Sequence, residues 1–326
     1  MTVLVTGGGG FIGSHLVEHL LEETTEDIHV LDNFSTGVRS NIAHIDDARL
    51  TVESGDIRDE NTVSNAVADA DSIYHLAAVV GVQKVVDDPL DALKTNLEGT
   101  ENVLEAAADD SVPTFIASSS EVYGKSESLP FSEDGDRVLG PPSVSRWGYA
   151  SAKAVDEFLG LAYYKQHGLP VVVGRYFNIV GPRQVGEYGM VIPTFVEQAL
   201  AGDPLTVYGD GTQERSFTHV ADAVEATHEL LETERAHGDV FNIGAPNPTP
   251  INELADRVLE HTGSESETTH TPFAEVYGKD FEEPDSREPD VSKLRDTLGW
   301  APEMDLDRIL EDVIDERRRP LEVSNE

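Results

Sequence analysis

The stretch TVLVTGGGGFIG, Thr2 to Gly13, constrains this chain more than any other. A short β-rich run enters four consecutive glycines, and the helical spacing of Ile12, Leu16, His19 and Leu20 begins at once. Glycines there let the backbone turn tightly between a buried strand and the helix packed on it, which starts a parallel βα unit. The pattern then repeats. IHVLD (Ile28 to Asp32), LTVESGD (Leu50 to Asp56), SIYHLAA (Ser72 to Ala78) and TFIASSS (Thr114 to Ser120) read as further strands. Helical spacing lies between them, as in Leu97, Val103, Leu104 and Ala107. This alternation predicts an α/β fold: a doubly wound parallel sheet with helices on both faces.

The same turn has a chemical implication. A helix N-terminus presents unpaired N–H groups and the positive end of its dipole, and glycines let a pyrophosphate approach them. A glycine cluster alone is equally consistent with a flexible loop. Here a strand precedes it, a helix follows it, and Asp32 ends the second strand 19 residues past Gly13, which is the context dinucleotide binding requires. A carboxylate at Asp32 accepts from both ribose hydroxyls and repels a 2′-phosphate, favouring NAD over NADP.

After Gly124 the chain passes through a Pro- and Gly-containing loop to Gly148, a helix from about Ala150 to His167, and the buried strand PVVVGRYFN. Beyond Gly181 follow a loop with GEYGM, the helix VIPTFVEQALAG, LTVYGDG, the strand-like SFTHV and a helix from Ala221. HTGSESETTHT reads as an exposed loop. No repeat or low-complexity linker separates the halves. The expected organisation is a Rossmann-type NAD-binding domain over residues 1–180, continued by 212–243, interleaved with a smaller substrate lobe over 181–211 and 244–326.

Charge restricts the partners. Asp and Glu number 62 against 23 Lys and Arg, a net charge of −39 with a sequence pI near 4.4. Such a surface disfavours nucleic acid and anionic lipid, and repels itself in dilute buffer. The Debye length falls to ~3 Å in molar salt, so the expectation is a halophilic host with a salt-rich cytoplasm. The carboxylates are spread along the chain, unlike those of an acidic tail. No apolar run approaches the ~20 residues of a membrane span, and Met1 leads straight into a strand, so a cytoplasmic location is expected. With no cysteine, disulfides and thiolate chemistry are excluded, and no metal site is expected.

Tyr149-Ala-Ser-Ala-Lys153 opens the helix after the long loop. Residues four apart share a helix face, so an ammonium can sit beside the phenol. A phenol with an ordinary pKa of ~10 is a poor base at neutral pH, and an adjacent cation favours the phenolate. Alone, this pair is also what a packed tyrosine and a solvated lysine would give. SSSEVYG, Ser118 to Gly124, adds three hydroxyls and a carboxylate at the end of a buried strand, with Ser119 30 residues before Tyr149.

The T-G-x-x-G-x-x-G spacing, Gly55-Asp56-Ile57, His75-Leu76-Ala77-Ala78, Asn96, the Ser-rich strand end and the Tyr149–Lys153 pair together resemble the extended branch of the short-chain dehydrogenase/reductase superfamily, along nearly the whole chain. The resemblance implies NAD bound by Gly7, Gly10, Phe11, Ile12, Gly13, Asp32, Asn33, Asp56, Ile57, Leu76, Ala77, Ala78, Asn96, Tyr149, Lys153 and Tyr176. It implies a nucleotide-diphosphate sugar, a UDP-sugar, as substrate, bound by Asn178, Arg183, Val191, Tyr208, Arg215 and Arg287. Guanidinium forks suit phosphate oxygens. Catalysis is implied at the sugar C4: Tyr149 takes the hydroxyl proton, Lys153 holds the cofactor ribose and lowers the phenol pKa, and Ser119 bonds the reacting oxygen, flanked by Ser120 and Glu121. A homodimer pairing through the helices near Asn96 and Tyr149 is implied as well.

A 4-ketone acidifies the C5 proton and labilises a C5 carboxylate, so one oxidation supports epimerisation, 4,6-dehydration or decarboxylation. Simple 4-epimerases of this branch commonly carry a small or hydroxylated residue where Glu121 stands, whereas dehydratases and decarboxylases carry glutamate. Leu139-Gly140-Pro141 and Arg146-Trp147-Gly148-Tyr149 resemble UDP-glucuronate decarboxylase domains. Ser120, in place of the aspartate that protonates a departing hydroxyl, argues against 4,6-dehydration. The expected activity is UDP-sugar 4-epimerisation, the commoner reaction, with UDP-glucuronate decarboxylation as the alternative and 4,6-dehydration behind both. The non-enzymatic alternative is a regulator that senses NAD(P) without turnover; such proteins usually lose the Tyr-Lys pair or the arginines, and both are present.

Overall fold

The computed structural model describes residues 1–80, 88–144, 146–186, 190–276 and 286–319. Its strands are β1 (Thr2–Thr6), β2 (Asp27–Asp32), β3 (Leu50–Ser54), β4 (Ser72–His75), β5 (Thr114–Ser119), β6 (Val171–Tyr176), β7 (Ile179–Val180), β8 (Leu205–Tyr208), β9 (Glu214–Ser216), β10 (Thr218–His219), β11 (Asp239–Ile243), β12 (Pro248–Pro250), β13 (Thr268–Thr271) and β14 (Ser286–Arg287). Its helices are α1 (Phe11–Glu23), α2 (Ser40–Ala43), α3 (Glu60–Val67), α4 (Pro89–Asp110), α5 (Arg146–His167), α6 (Val191–Ala201), α7 (Val220–Glu232), α8 (Ile251–Thr262), α9 (Phe273–Val276), α10 (Ser292–Leu298) and α11 (Leu306–Arg318).

Seven of the strands form one parallel sheet in the order β11-β6-β5-β4-β1-β2-β3. Alternation within a strand decides which layer each side chain joins. Val3 and Val5 of β1 pack with Leu16 and Leu20 of α1 and Leu230 of α7, while Leu4 between them packs on the other face with Val63 of α3 and Val103 and Leu104 of α4. Covered on both sides, β6 is buried at every residue. Each such aliphatic side chain contributes about 1.5–3 kcal/mol on burial. Chain order reverses between β1 and β4, and the crevice beyond their C-terminal ends is where such sheets bind ligands.

A third core joins Val180, Ile192, Phe195, Val207, Leu254, Val258, Ile309 and Val313, gathering α6, α8 and α11 into a second layer of packing. Three small sheets accompany it: β10-β7, β12-β9-β14 and β13-β8. The last corrects the reading of HTGSESETTHT as a loop. Thr268–Thr271 pairs in parallel with Leu205–Tyr208, because β-branched threonines suit a strand even where no apolar alternation marks one. SFTHV is divided: Ser216 closes β9, and Thr218–His219 pairs with β7. The helix expected from Ala150 begins at Arg146. Of GEYGM, Glu187, Tyr188 and Gly189 lie outside the described residues. Among the described residues no helix is long and apolar enough to cross a membrane.

Candidate active site

The glycine turn is a cradle with no room for side chains. Gly7 has φ +75°, and a Cβ there would meet the Ala77 nitrogen at 2.7 Å; a Cβ on Gly13 would lie 2.2 Å from the Gly7 carbonyl oxygen. Gly10 caps α1 with no side-chain bond, which leaves the helix N-terminus to the backbone alone. Phe11 and Ile12, partly buried, anchor that terminus on the core. Asp32 accepts from Gly9 N–H at 2.8 Å through Oδ2 and from Phe34 N–H at 2.7 Å through Oδ1, so the carboxylate is fixed over the turn. Each oxygen retains a second lone pair that a ribose hydroxyl could use.

The next strand ends extend this surface. Asn33 donates to Asp56 at 3.4 Å, and Arg58 clamps the same carboxylate, holding Asp56 near a pKa of about 2. Ile57 is buried against Gly99, where a Cβ would meet it at 2.2 Å. Leu76, Ala77 and Ala78 follow β4 part-buried, with Ala77 N–H donating to the Thr6 hydroxyl at 3.2 Å. Asn96, buried on α4, bonds both the N–H and the carbonyl of Val79 and so braces this segment. Tight glycines, an anchored carboxylate at the second strand end and a bare helix N-terminus fit a dinucleotide.

At the end of β5, Ser119 caps a short 3₁₀ turn, Ser120–Tyr123, by accepting from Glu121 N–H at 3.3 Å. Ser119 also hydrogen-bonds Tyr149 from α5, and Glu121 is close enough for its charge to act on that phenol. The buried Ser120 lies between them in sequence. Lys153, one helical turn beyond Tyr149, is buried with its ammonium 3.3 Å from Asp156. The expected lowering of the phenol pKa is reversed in this geometry. Burial pushes Tyr149 well above its ordinary value, Glu121 and Asp156 add to that, and only the bond with Ser119 opposes it.

Two short paired strands, β9 and β14, bring the arginines together. Arg215 of β9 and Arg287 of β14 are register partners in a parallel pair, both buried, so the two residues stand side by side in neighbouring strands. Arg287 is ion-paired with Glu121, which ties this small sheet to the end of β5. Asn178, at φ +40°, donates to the Ser216 carbonyl at 2.9 Å and holds β9 in place. Val191 begins α6, and Tyr208 ends β8 part-exposed.

Two expected site residues are engaged elsewhere. The Tyr176 hydroxyl bonds Thr227 at 2.7 Å and its ring packs 6.2 Å from Phe115, so the phenol is engaged within the core. Arg183 is held by Glu18 and His15 of α1 and by the Asn41 carbonyl, while its own N–H donates to Glu316 of α11; its charge is matched there, apart from the Arg215–Arg287 pair. A buried cluster under β5 was not anticipated. Glu157 takes a two-point grip from Arg175, a contact from Arg137 and the Ser118 hydroxyl at 2.6 Å. Tyr123 of the V-Y-G run donates to Asn242 and accepts from Arg175, so it is structural. Its spacing relative to Lys153, a glutamate four residues on, is the signal that could have flagged Glu157.

A doubly wound sheet with a glycine cradle, a helical Tyr–Lys pair and a serine at the facing strand end defines an enzyme of the extended short-chain dehydrogenase/reductase class. The chain belongs, within it, to the family whose model is described as GDP-mannose 4,6 dehydratase, which matches residues 4–313. Among its relatives, a UDP-N-acetyl-alpha-D-glucosaminuronate decarboxylase of Bacillus cytotoxicus is 42% identical over 312 residues, covering 95% of this chain and 96% of that protein. UDP-glucuronic acid decarboxylase 6 of Arabidopsis thaliana is 35% identical, covering 94% and 85%. A solved UDP-glucuronic acid 4-epimerase from Bacillus cereus, in complex with UDP-glucuronic acid and NAD, superposes with a TM-score of 0.87 at 30% identity, covering 97% and 98%.

Proposed function

We propose that this protein decarboxylates a UDP-hexuronate, UDP-glucuronate or its N-acetylated counterpart, with NAD as its cofactor. The observation that carries the reading is the Glu121–Arg287 ion pair beside Ser119 and Tyr149. A plain hexose epimerase has no need of a charged pair there; a sugar with a C5 carboxylate does. The names of the relatives from Bacillus cytotoxicus and Arabidopsis thaliana support the same choice, and they reverse the order in which the residues alone placed epimerisation and decarboxylation.

Asp32, the glycine turn and Lys153 would hold the cofactor, which supplies reversible oxidation at C4. Tyr149 accepts the C4 hydroxyl proton, with Ser119 bonded to the same oxygen. Once C4 is a ketone, the C5–carboxylate bond can break, its electron pair passing to the C4 oxygen as an enolate that Ser119 and Tyr149 stabilise by hydrogen bonding. Arg287 offsets the charge of the entering carboxylate, and after CO₂ leaves, Glu121 passes a proton taken from solvent water to C5, while the proton held by Tyr149 returns to the C4 oxygen. Arg215, in the neighbouring strand, suits the diphosphate. UDP-glucuronate 4-epimerisation is the second reading, favoured by the Bacillus cereus structure. It differs only in whether the carboxylate is kept.

Glu121→Gln separates the steps. Expected is a variant that still forms the 4-ketone and releases CO₂ but yields the C5-protonated product about 100-fold more slowly. Equal loss of oxidation and CO₂ release would contradict the role given to Glu121.

A further inference from the structure

Lys153 is buried to 3% exposure, and an isolated ammonium in such a place would be costly enough to give up its proton. What compensates it is on the same helix. Tyr149, Lys153 and Asp156 follow one stripe of α5, and Asp156, itself fully buried, puts Oδ2 3.3 Å from Lys153 Nζ. The other groups facing this spot cannot take over. From β4, His75 is bonded to Thr6 at 2.8 Å and to Thr100 of α4 at 3.1 Å, and burial, then the Lys153 charge, lowers it to about 3, so it is neutral. Glu157, the adjacent carboxylate on α5, is taken by Arg175, Arg137 and Ser118. Glu121, from the turn after β5, is paired with Arg287. Thr100 offers Asp156 only a hydroxyl.

We propose that Asp156 is a positioning residue that keeps Lys153 charged and in place in a site too dry to hold a lone cation. The inference rests on the Tyr149–Lys153 assignment above. The Y-x-x-x-K spacing ends at Lys153, and the carboxylate three residues further on completes it: a matched pair enters the dry site where a single charge could not. Asp156 itself touches neither reacting atoms nor cofactor in this role. It acts through Lys153.

The charge of Lys153 can be read directly by nuclear magnetic resonance of lysine-labelled protein in molar KCl, its signal assigned by its absence in Lys153→Met. In Asp156→Asn the Lys153 side chain is expected to lose its proton at least about one pH unit lower than in the wild type, a tenfold change in that equilibrium. The rate of C4 oxidation should then fall at alkaline pH in step with that loss, and Asp156→Glu should restore both. An Asp156→Asn protein whose Lys153 titrates as in the wild type, or whose rate drops equally at every pH, overturns the proposal. Should Asp156→Asn fail to fold, Asp156→Ser, which leaves room for water, gives the same reading. The assignment beneath is tested separately: a Tyr149→Phe variant that turns over normally sinks the catalytic reading without touching the Lys153 titration.

Discussion

Tyr149, the proposed base, sits in surroundings that oppose its ionisation. Burial does most to raise its phenol, the Glu121 charge comes next, and Ser119 alone works the other way. Removing a negative charge favours phenolate, so Glu121→Gln should move the acid limb of the oxidation rate toward lower pH, read from single-turnover rates across a pH series. A limb that stays in place would show that Glu121 does not act on the phenol. At this scale the sequence was legible where spacing carries the chemistry: Ser119, Tyr149 and Lys153 form a recognisable set. It was silent where direction matters. Tyr176 and Arg183 have fitting side chains, but Thr227 lies 51 residues after one and Glu18 165 residues before the other, and those partners decide where the groups point. Asp156 went unnoticed because no spacing distinguishes a buried carboxylate from a solvated one.

Among the elements, the first turn has the least tolerance. Gly13→Ala would press a methyl against the Gly7 carbonyl oxygen, and since both atoms belong to backbone, neither can swing aside. The expected cost is about 1–3 kcal/mol of stability, with NAD binding weakened at least about tenfold because the turn itself must shift. Calorimetric titration and denaturant unfolding at high salt would measure both; unchanged binding would show that the turn is not the cradle. The large sheet was readable because buried parallel strands and helices have strong periods. The pairing of β9 with β14, which sets Arg215 beside Arg287, was not, because strands of two or three residues carry no period. That pairing joins residues more than 70 positions apart, and it is what carries Arg287 to Glu121.

For the whole molecule the net charge of −39 is the dominant fact. With 62 Asp and Glu against 23 Lys and Arg, most acidic groups have no Lys or Arg to match them, and the expected consequence is a protein whose unfolding midpoint rises steeply from dilute buffer to molar KCl as repulsion is screened. A flat response would show that the acidic surface does not govern stability. Leu90 of α4 and Val155 and Phe158 of α5 are exposed large hydrophobic side chains on the two helices through which the sequence resemblance implies two-fold pairing. Composition alone pointed to salt, but not to the reaction. In the proposed reading, the outcome at C5 depends on Glu121 and its ion pair with Arg287 from a distant segment.

In the reaction proposed above, the Glu121–Arg287 pair directs the 4-ketone toward loss of the carboxylate. The direct measurement is the mass of the sugar nucleotide formed when the purified protein is incubated with NAD and UDP-glucuronate, or its N-acetylated counterpart, in molar KCl. The expected product is lighter by one CO₂, released in equal amount. A product of unchanged mass with a new retention time would mean epimerisation and would contradict the proposed reaction.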